Sequence, residues 1–392
     1  MNPTVKLVEP VDPTDPAVKS FRSNIPNSIK AKQSLKLHNK NKSPINLIKE
    51  RIYYYMSHNT DIKFDIYDDL SEIVSTENNF DLLLIDQHHP SRSMSDTYYV
   101  DLNTVLRTHT SAHQNELLKM GKTSFLVTGD VYRKDEIDRF HFPIFHQMEG
   151  VHIMENNMDP EKDLQRVLTG LVEFLFPGKV YRFNPDYFPF TNPSYEVEVL
   201  LKDKWVEILG CGVIHEKILS NNKISKKGWA FGLGLERLAM IFYEIPDIRL
   251  FWSDNEKFTS QFENVSCFDN VKFKPYSKLH SETRDIAFWL PNDEIIQSTE
   301  STKLPESNKI KWKKENDFYD IVRDHFDTNI ENIELIDEFF HPKKKQYSRC
   351  YRMTMNPMSN LDNPSDFFKI CNDMMIGLKN EIIAKLKLEV RG

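Results

Sequence analysis

Short strand-like runs, several of them alternating between apolar and polar residues, recur between residues 62 and 215, for example at 64–67, 125–127 and 195–199. Such runs predict β-strands that bury at least one face. They follow one another too closely for helical crossovers, so we expect neighbouring strands to pair as an antiparallel sheet. The pattern therefore predicts an α+β fold class, in which helices flank that sheet.

Helices are predicted on both sides of this strand-rich region in the sequence. Serine is a good N-cap and proline suits the first helical position, so one helix is expected to begin at Ser43-Pro44. Apolar residues then recur at helical spacing, namely Ile45, Ile48, Ile52 and Met56. On the other side, residues 228–244 turn from a glycine-rich strand end into an apolar helix.

A second unit is predicted at the C-terminus, where strands and helices follow a different order. Its elements are expected at 286–290, 317–325, 330–340, 347–355, 365–385 and 386–390. Their order, βαββαβ, is the ferredoxin-like arrangement. The chain is thereby divided into an N-terminal extension at 1–42, a main domain at 43–251, a linker at 252–283 and a ferredoxin-like domain at 284–392.

Composition excludes several classes of protein. The 392 residues include 51 Lys and Arg against 58 Asp and Glu, and this net charge of −7 argues against a surface coated with basic residues. No run of about 18 apolar residues occurs, so no membrane-spanning helix is expected, and no targeting segment is visible after Met1. The cysteines show neither a CxxC nor a Cys/His ligand spacing, which predicts free thiols and no structural zinc. They are Cys211, Cys267, Cys350 and Cys371.

A candidate site lies in residues 129–150, where two strand-like runs flank a polar loop. Alternate strand residues share a face, so Arg133 and Asp135 are expected to lie together. By the same reasoning Gln147 and Glu149 share a face. A guanidinium beside a carboxylate could clamp a phosphate and orient an amine. A surface salt-bridge ladder across a hairpin is the alternative, and the pairing alone favours the ladder.

Two further segments carry side chains that suggest a ligand. Arg237 is expected in the first turn of the helix after the glycine-rich strand, where a cation is unfavourable and calls for an anionic partner. That partner could be a ligand, or a carboxylate such as Glu236. Phe188 and Phe190 point to one side of an extended segment, either in the core or in a pocket wall. No GxxxxGK[ST] loop, strand–GxGxxG–helix or GxSxG elbow is present.

Taken together, five segments resemble the signatures of phenylalanyl-tRNA synthetases, a family of class II aminoacyl-tRNA synthetases. In chain order they are RTHTS at 107–111, YR at 132–133, FHQME at 145–149, YFPF at 187–190 and FGLGLER at 231–237. The arginine-bearing hairpin and the glycine-rich strand before a helix resemble motifs 2 and 3 of class II enzymes. The C-terminal unit resembles the anticodon-binding domain of the single-chain, organellar form of the family.

The resemblance implies an enzyme that activates phenylalanine with ATP and Mg²⁺ to phenylalanyl-adenylate and then esterifies the terminal adenosine of tRNA(Phe). It implies a mitochondrial monomer, whose class II catalytic domain spans 43–251. An apolar pocket rejects one extra hydroxyl by only about 10², so we expect weak activation of tyrosine. The chain leaves no room for an editing domain between its two units, so we expect no correction of Tyr-tRNA.

The resemblance also assigns residues by motif position. Arg133 is expected at the α-phosphate of ATP and Arg237 at the γ-phosphate, both as catalytic residues. The other ATP-binding residues are expected to be Asp135, His146 and Gly234. The phenylalanine-binding residues are expected to be His109, Ser111, Gln147, Glu149, Phe188, Phe190, Cys211 and Gly212. Among them, Glu149 is expected to hold the ammonium group, and the two phenylalanines to pack edge-to-face on the substrate ring.

Basic and aromatic residues of the C-terminal unit predict an RNA surface, on which lysines meet phosphates and aromatic rings stack on anticodon bases. The basic residues are Lys343, Lys344, Lys345 and Arg349, and the aromatic residues are Trp312, Tyr347 and Tyr351. A solvated loop is the alternative for any single lysine. For the whole chain, two alternatives remain: a class II ligase for another apolar amino acid, and a catalytically silent RNA-binding paralogue.

Overall fold

The computed structural model describes residues 21, 23–155, 158–275, 281–297, 310–356 and 364–391. Residues 1–20 of the predicted N-terminal extension and 276–280 of the predicted linker lie outside the described residues. No helix in the described ranges is long and apolar enough to cross a membrane. The cysteines are unpaired as expected, and Cys211 and Cys371 are buried.

The main sheet contains most strands of the first two-thirds of the chain. These strands are β1 (Asp65–Tyr67), β4 (Ser124–Tyr132), β5 (Ile144–Ile153), β6 (Tyr181–Asp186), β7 (Thr191–Leu201), β8 (Lys204–Ile214) and β9 (Gly228–Gly234). They lie in the order β1-β4-β5-β9-β8-β7-β6. All neighbours pair antiparallel, as predicted, except β1 and β4, which run parallel. The long connection between those two strands gives the chain room to return in the same direction.

Smaller elements fill that connection and flank the sheet. Two short strands, β2 (Ile73–Ser75) and β3 (Thr104–Leu106), pair with each other. The helices of this region are α1 (Asn27–Lys32), α2 (Pro44–His58), α3 (Thr76–Asn79), α4 (Gln114–Lys119), α5 (Pro160–Leu175), α6 (Glu216–Asn221) and α7 (Leu235–Tyr243). As predicted, Ser43 caps α2, its hydroxyl accepting from the Ile45 backbone N–H at 3.3 Å. The apolar stripe of α2 is buried in the main hydrophobic core together with α5 and α7.

The main core extends beyond the boundaries expected for it. Leu37, within the predicted extension, and Phe258 and Phe262, within the predicted linker, are buried in it. Phe258 belongs to a short helix, α8 (Glu256–Thr259), which Asn255 caps. These apolar residues are isolated in polar sequence and show no periodicity, so the pattern gave no sign of their burial.

The C-terminal unit contains a separate sheet of β10 (Glu282–Trp289), β13 (Ile330–His341), β14 (Gln346–Met355) and β15 (Glu389–Val390), in the order β13-β14-β10-β15. Its helices are α9 (Glu315–Phe326) and α10 (Pro364–Glu381), the latter continuing as a π-turn at Ile382–Leu386. The described elements follow the predicted βαββαβ order. A small additional pair, β11 (Ile295–Gln297) and β12 (Ile310–Trp312), comes between β10 and α9.

The loop between β4 and β5 lies against helix α9 of the C-terminal unit. Lys134 extends its ammonium group to Asp317 at 2.7 Å and to Asp320 at 3.3 Å. Arg323 donates to two carbonyl oxygens of the loop, each at 2.6 Å. Ile137, at the loop's centre, packs into the core of the C-terminal unit. The loop that follows Arg133 therefore has its conformation set partly by the other unit.

Arg349 does not lie on a surface open to RNA, so its predicted tRNA-binding role is wrong. It is 1% exposed, and its guanidinium donates to Glu338 at 2.8 Å and to Glu315 at 2.9 Å. It also donates to the Tyr351 hydroxyl and to the Ile310 carbonyl oxygen. Of the three predicted stacking residues, Trp312 and Tyr351 are equally buried, and Tyr347 is partly buried. Together these groups form the polar centre of the C-terminal core.

We predict that Arg349→Met destabilises the protein strongly, because it leaves the buried carboxylate of Glu338 without its cation. Losing one partner of a buried ion pair costs about 3–5 kcal/mol. Urea unfolding followed by tryptophan fluorescence measures the loss. Arg352→Met is the matched control on the same strand, since Arg352 pairs with Asp285 on the surface and such pairs contribute about 0–1 kcal/mol. Equal losses for the two variants would contradict the prediction.

Candidate active site

A cavity of about 630 Å³ opens on one face of the main sheet. Its floor comes from the central strands β5, β8 and β9, and its walls come from the loops before β4, after β4 and between β6 and β7. Nine predicted site residues line it: His109, Ser111, Arg133, Asp135, Gln147, Glu149, Phe188, Phe190 and Cys211. Residues more than 100 positions apart in the sequence thus meet in one cavity.

Glu149 is the buried acid at the floor of the cavity. It lies on β5 two residues after Gln147, so both side chains share the predicted face. It is 3% exposed, and its Oε2 has no hydrogen-bond partner within the part of the chain that the structure describes. Burial raises the pKa of Glu149 to about 8, against a smaller opposing effect from the Ser111 hydroxyl. The free protein therefore holds this carboxyl protonated at pH 7, ready to ionise beside a cation.

Gly232 leaves the sheet backbone open beside this acid. The strand register pairs it with Glu149 on one side and with Gly210 on the other. A Cβ built on Gly232 would meet no protein atom within 4 Å. Packing within the protein therefore does not require glycine here, and the free space belongs to the cavity. A ligand can approach the backbone closely at this point.

Phe188 and Phe190 form an aromatic wall, in the loop between β6 and β7. Their rings lie nearly parallel, with centroids 5.8 Å apart. A Cβ on Gly210 would come within 3.0 Å of the Phe188 ring, so the residue beneath that ring must be small.

The ring of His109 lies 6.5 Å from that of Phe190, and burial together with the Arg133 charge lowers the pKa of His109 to about 3. The imidazole is therefore neutral and acts as an uncharged polar group.

The two glycines around Cys211 have different neighbours. Cys211 lines the cavity and also belongs to the main hydrophobic core. Gly212 does not line the cavity, because a Cβ there would meet the Pro193 carbonyl oxygen at 2.4 Å and Thr191 at 2.6 Å. Gly212 thus permits close contact with the neighbouring strand, and its predicted place in the pocket floor belongs to Gly210. The two glycines at 210 and 212 do indicate a close approach of the backbone, but it is Gly210 that lines the cavity.

Arg133 brings a positive charge to the cavity mouth. Strand β4 ends at Tyr132, so Arg133 and Asp135 lie just beyond it and strand alternation does not apply to them, yet both line the cavity. Arg133 donates from Nε to the Thr108 carbonyl oxygen at 2.9 Å. Its guanidinium carbon lies 5.2 Å from the Phe145 ring centroid. These contacts hold the side chain at the cavity and use only the Nε donor of its guanidinium group.

Arg237 and Gly234 are not among the residues that line the cavity, although Arg237 reaches a residue that is. Arg237 donates to the Glu207 carboxylate at 2.9 Å, and Glu207 itself lines the cavity. The anionic partner predicted for Arg237 therefore exists, but it is Glu207 and not Glu236. No local pattern indicates Glu207, because it lies on β8 thirty residues earlier and only sheet pairing brings it close. A Cβ on Gly234 would likewise meet no protein atom within 4 Å.

His146 faces away from the cavity, and its predicted role in ATP binding is wrong. It precedes Gln147 on β5, and Gln147 lines the cavity, so strand alternation directs His146 to the opposite side. It is 0% exposed. Its Nδ1 lies 2.6 Å from Glu236 Oε1, and its backbone N–H donates to Oε2 at 2.8 Å. Its partner is thus the first turn of helix α7.

Comparisons with known proteins agree with this geometry. Residues 28–262 match the family described as tRNA synthetases class II core domain (F). The chain is 42% identical over 380 residues to the chloroplastic/mitochondrial phenylalanine--tRNA ligase of Arabidopsis thaliana, an alignment that covers 94% of this chain and 83% of that protein. It is 42% identical to the mitochondrial phenylalanine--tRNA ligase of Mus musculus, and that alignment covers 86% of this chain and 79% of the mouse protein. It is 33% identical to the mitochondrial phenylalanine--tRNA ligase of Saccharomyces cerevisiae, and that alignment covers 89% of this chain and 88% of the yeast protein.

Each of these relatives is matched over more than two-thirds of its length, and the family match spans the sheet that forms the cavity. The chain therefore belongs to the class II tRNA synthetases, within the family of the organellar phenylalanine--tRNA ligases.

Proposed function

We propose that this protein attaches L-phenylalanine to tRNA(Phe) at the expense of ATP, in mitochondrial translation. One observation carries the proposal: a buried acid, Glu149, and an aromatic wall, Phe188 with Phe190, line the same cavity. An amino acid with an apolar ring presents the two complementary groups, an ammonium and an aromatic face. The mitochondrial assignment rests on the named compartment of the related ligases.

The amino acid would bind with its ammonium at Glu149 and its ring against the aromatic wall. On ionising, Glu149 would form a charge-assisted hydrogen bond with the ammonium, which is stronger where water is excluded. Gln147, Ser111 and neutral His109 line the same cavity and can hold the remaining polar atoms without adding charge. The edge-to-face packing of Phe188 and Phe190 on the substrate ring remains part of the proposal.

Activation then requires positioning more than acid–base chemistry. A carboxylate oxygen of phenylalanine attacks the α-phosphorus of ATP; the new O–P bond forms as the bond to pyrophosphate breaks. The nucleophile is already ionised, so no general base is needed. Arg133, at the cavity mouth, would stabilise the charge that develops on the α-phosphate.

The triphosphate would bind beyond Arg133, toward Arg237. Because Arg237 is paired with Glu207, a γ-phosphate would have to share or replace that carboxylate. Mg²⁺ would enter with ATP and neutralise phosphate charge. Asp135 and Glu207 line the cavity and supply the oxygen ligands that Mg²⁺ prefers. Gly234 would let the nucleotide approach the end of β9.

In the second step, the 2′-hydroxyl of the terminal adenosine would attack the activated carbonyl, forming the ester as AMP leaves. We propose that one chain performs both steps as a monomer, as the resemblance to the single-chain, organellar form implies. Exposed Lys343 and Lys345, in the turn between β13 and β14, would meet phosphates of the tRNA. Lys344 in the same turn pairs with Glu389 and lies over the Trp289 ring.

The decisive experiment is ATP–pyrophosphate exchange without tRNA, with each of the twenty amino acids in turn. We expect strong exchange with phenylalanine and about 10²-fold less with tyrosine, since an apolar pocket rejects a hydroxyl only weakly. Exchange with a different amino acid would identify another ligase. Exchange with none would identify a silent RNA-binding paralogue.

Because we propose no editing, preformed Tyr-tRNA should persist in the presence of the protein as long as in buffer.

We predict that phenylalanine binds more tightly as the pH rises from 6 to 8. Below its pKa of about 8, Glu149 is protonated and must lose that proton to hold the ammonium. The Kd should therefore fall by about tenfold per pH unit and level off near pH 8. Calorimetry in two buffers of different ionisation enthalpy should show about one proton released per phenylalanine bound at pH 6–7.

Glu149→Gln is the matched variant for this prediction. It should bind phenylalanine weakly and without pH dependence between pH 6 and 8, since glutamine does not titrate. His109 does not interfere, because its pKa of about 3 lies below the range. A pH-independent Kd in the unmodified protein, with no proton release, would contradict the role of Glu149.

We predict that the double substitution of Lys343 and Lys345 by alanine weakens tRNA binding and leaves phenylalanine-dependent exchange unchanged. Each lost contact with a single-stranded phosphate should reduce the slope of log K against log salt by about 0.7. Filter binding over a range of salt concentrations measures the slope. Lys344→Ala is the control, since its ammonium already pairs with Glu389. Unaltered tRNA binding by the double variant would contradict the prediction and show that these lysines only contribute to solubility.

A further inference from the structure

Three polar side chains converge in the protein interior behind strand β5, on the side opposite the cavity. They are His38, Asp130 and His146, with exposures of 1%, 4% and 0%. Asp130 Oδ1 lies 3.5 Å from His38 Nδ1 and 4.0 Å from His146 Nε2. The three facing atoms all lie within 4.8 Å of one another. None of the roles proposed for the cavity uses this cluster.

The outer contacts of the two histidines fix where their protons lie. His38 Nε2 is 2.9 Å from the Asp68 carbonyl oxygen, which can only accept, so Nε2 carries the hydrogen. His146 Nδ1 faces a Glu236 carboxylate oxygen at 2.6 Å and carries the hydrogen for the same reason. In the neutral rings, the inward atoms His38 Nδ1 and His146 Nε2 then carry lone pairs.

The inward-facing atoms therefore include two imidazole acceptors without a donor, next to the Asp130 carboxylate. Neither His38 Nδ1 nor His146 Nε2 has a hydrogen-bond partner among the described residues. A nearby cation, Lys49, is engaged elsewhere, at Asn39 and Asp68. Buried polar atoms in folded proteins almost always have partners, because leaving them unpaired costs about 1–3 kcal/mol each. A bound cation would satisfy all three acceptors at once.

We propose that this cluster is a metal site, in which His38 Nδ1, Asp130 Oδ1 and His146 Nε2 bind a divalent ion of the zinc class. Two imidazoles and one carboxylate are a common zinc ligand set. Ligand atoms about 2.0–2.1 Å from a tetrahedral zinc lie about 3.3 Å from one another. The distances of 3.5 and 4.0 Å are close to that value and need only a small inward movement.

The surroundings of the three ligands have the arrangement that metal sites require. Metal-binding histidines usually donate their other ring N–H to a carboxylate or a backbone carbonyl, and here Glu236 and Asp68 are those acceptors. Tyr132 donates to the other oxygen of Asp130 at 3.2 Å, leaving Oδ1 for the ion. The spacing rule that predicted no structural zinc missed this set, because the histidines lie 108 positions apart.

Such an ion would join the N-terminal segment to β4 and β5 directly behind Gln147 and Glu149. Its role would be structural, since the ligands face away from the cavity. The proposal does not depend on which amino acid the cavity binds. It departs from the expectation of a zinc-free enzyme, which was drawn from cysteine and histidine spacing alone.

The test uses the full chain, stripped with a chelator, loaded with Zn²⁺ alone and desalted. We expect about one zinc per chain by elemental analysis, because three preformed ligands bind without refolding. We also expect a higher thermal midpoint with Zn²⁺ than without it. Co²⁺, loaded in the same way, should give the intense visible absorption of a tetrahedral site.

His38→Gln and Asp130→Asn should each lose the zinc and the rise in thermal midpoint. His152→Gln is the matched control, since His152 lies on the same strand β5 and bonds to Ser124 instead; it should keep both. Less than about one zinc per ten chains in the unmodified protein, with no change in its midpoint, would overturn the proposal. The unmodified protein alone decides this, even if a variant fails to fold.

Discussion

The buried contact between His146 and Glu236 fixes the geometry on which both faces of the sheet depend. Glu236 lies in the first turn of helix α7, where a carboxylate is favoured by the helix dipole. It accepts hydrogen bonds from the backbone N–H and from Nδ1 of His146. One residue of β5 is thereby tied to the start of a helix that continues directly from β9. Because β5 and β9 are neighbours, this contact locks their register.

Register matters here because β5 has opposite chemistry on its two faces. Gln147 and Glu149 face the cavity, while His146 and Met148 face the interior. A slip of one residue would exchange these faces. It would place Glu149 in the apolar core and Met148 in the cavity, removing the acid from the site. The contact between His146 and Glu236 on the interior face of β5 therefore determines which side chains line the cavity on the opposite face.

Local patterns in the sequence were sufficient to predict most helices and strands of this fold. Most residue roles that needed correction depend on contacts between residues far apart in the sequence. Helix α2, the strand-to-helix turn at 228–244 and the C-terminal element order all follow from capping, spacing and periodicity. Arg349 could not be interpreted in this way, because the carboxylates that bury it come from β13 and α9. The partner of Arg237 is likewise supplied by another strand. His146 is different: alternation from Gln147 already placed it on the far face, and motif position overrode that local rule.

Burial of Glu149 provides a filter for ligands as well as a binding group. With a pKa of about 8, ionising it at pH 7 costs roughly 1.4 kcal/mol. A ligand without an ammonium cannot recover that cost, and it meets a neutral acid that only offers a hydrogen bond. A ligand with one forms an ion pair in a site shielded from water, where charge-assisted hydrogen bonds contribute about 1.5–3 kcal/mol. The same exclusion of water that keeps the free acid protonated thus makes the cavity selective for a free amine.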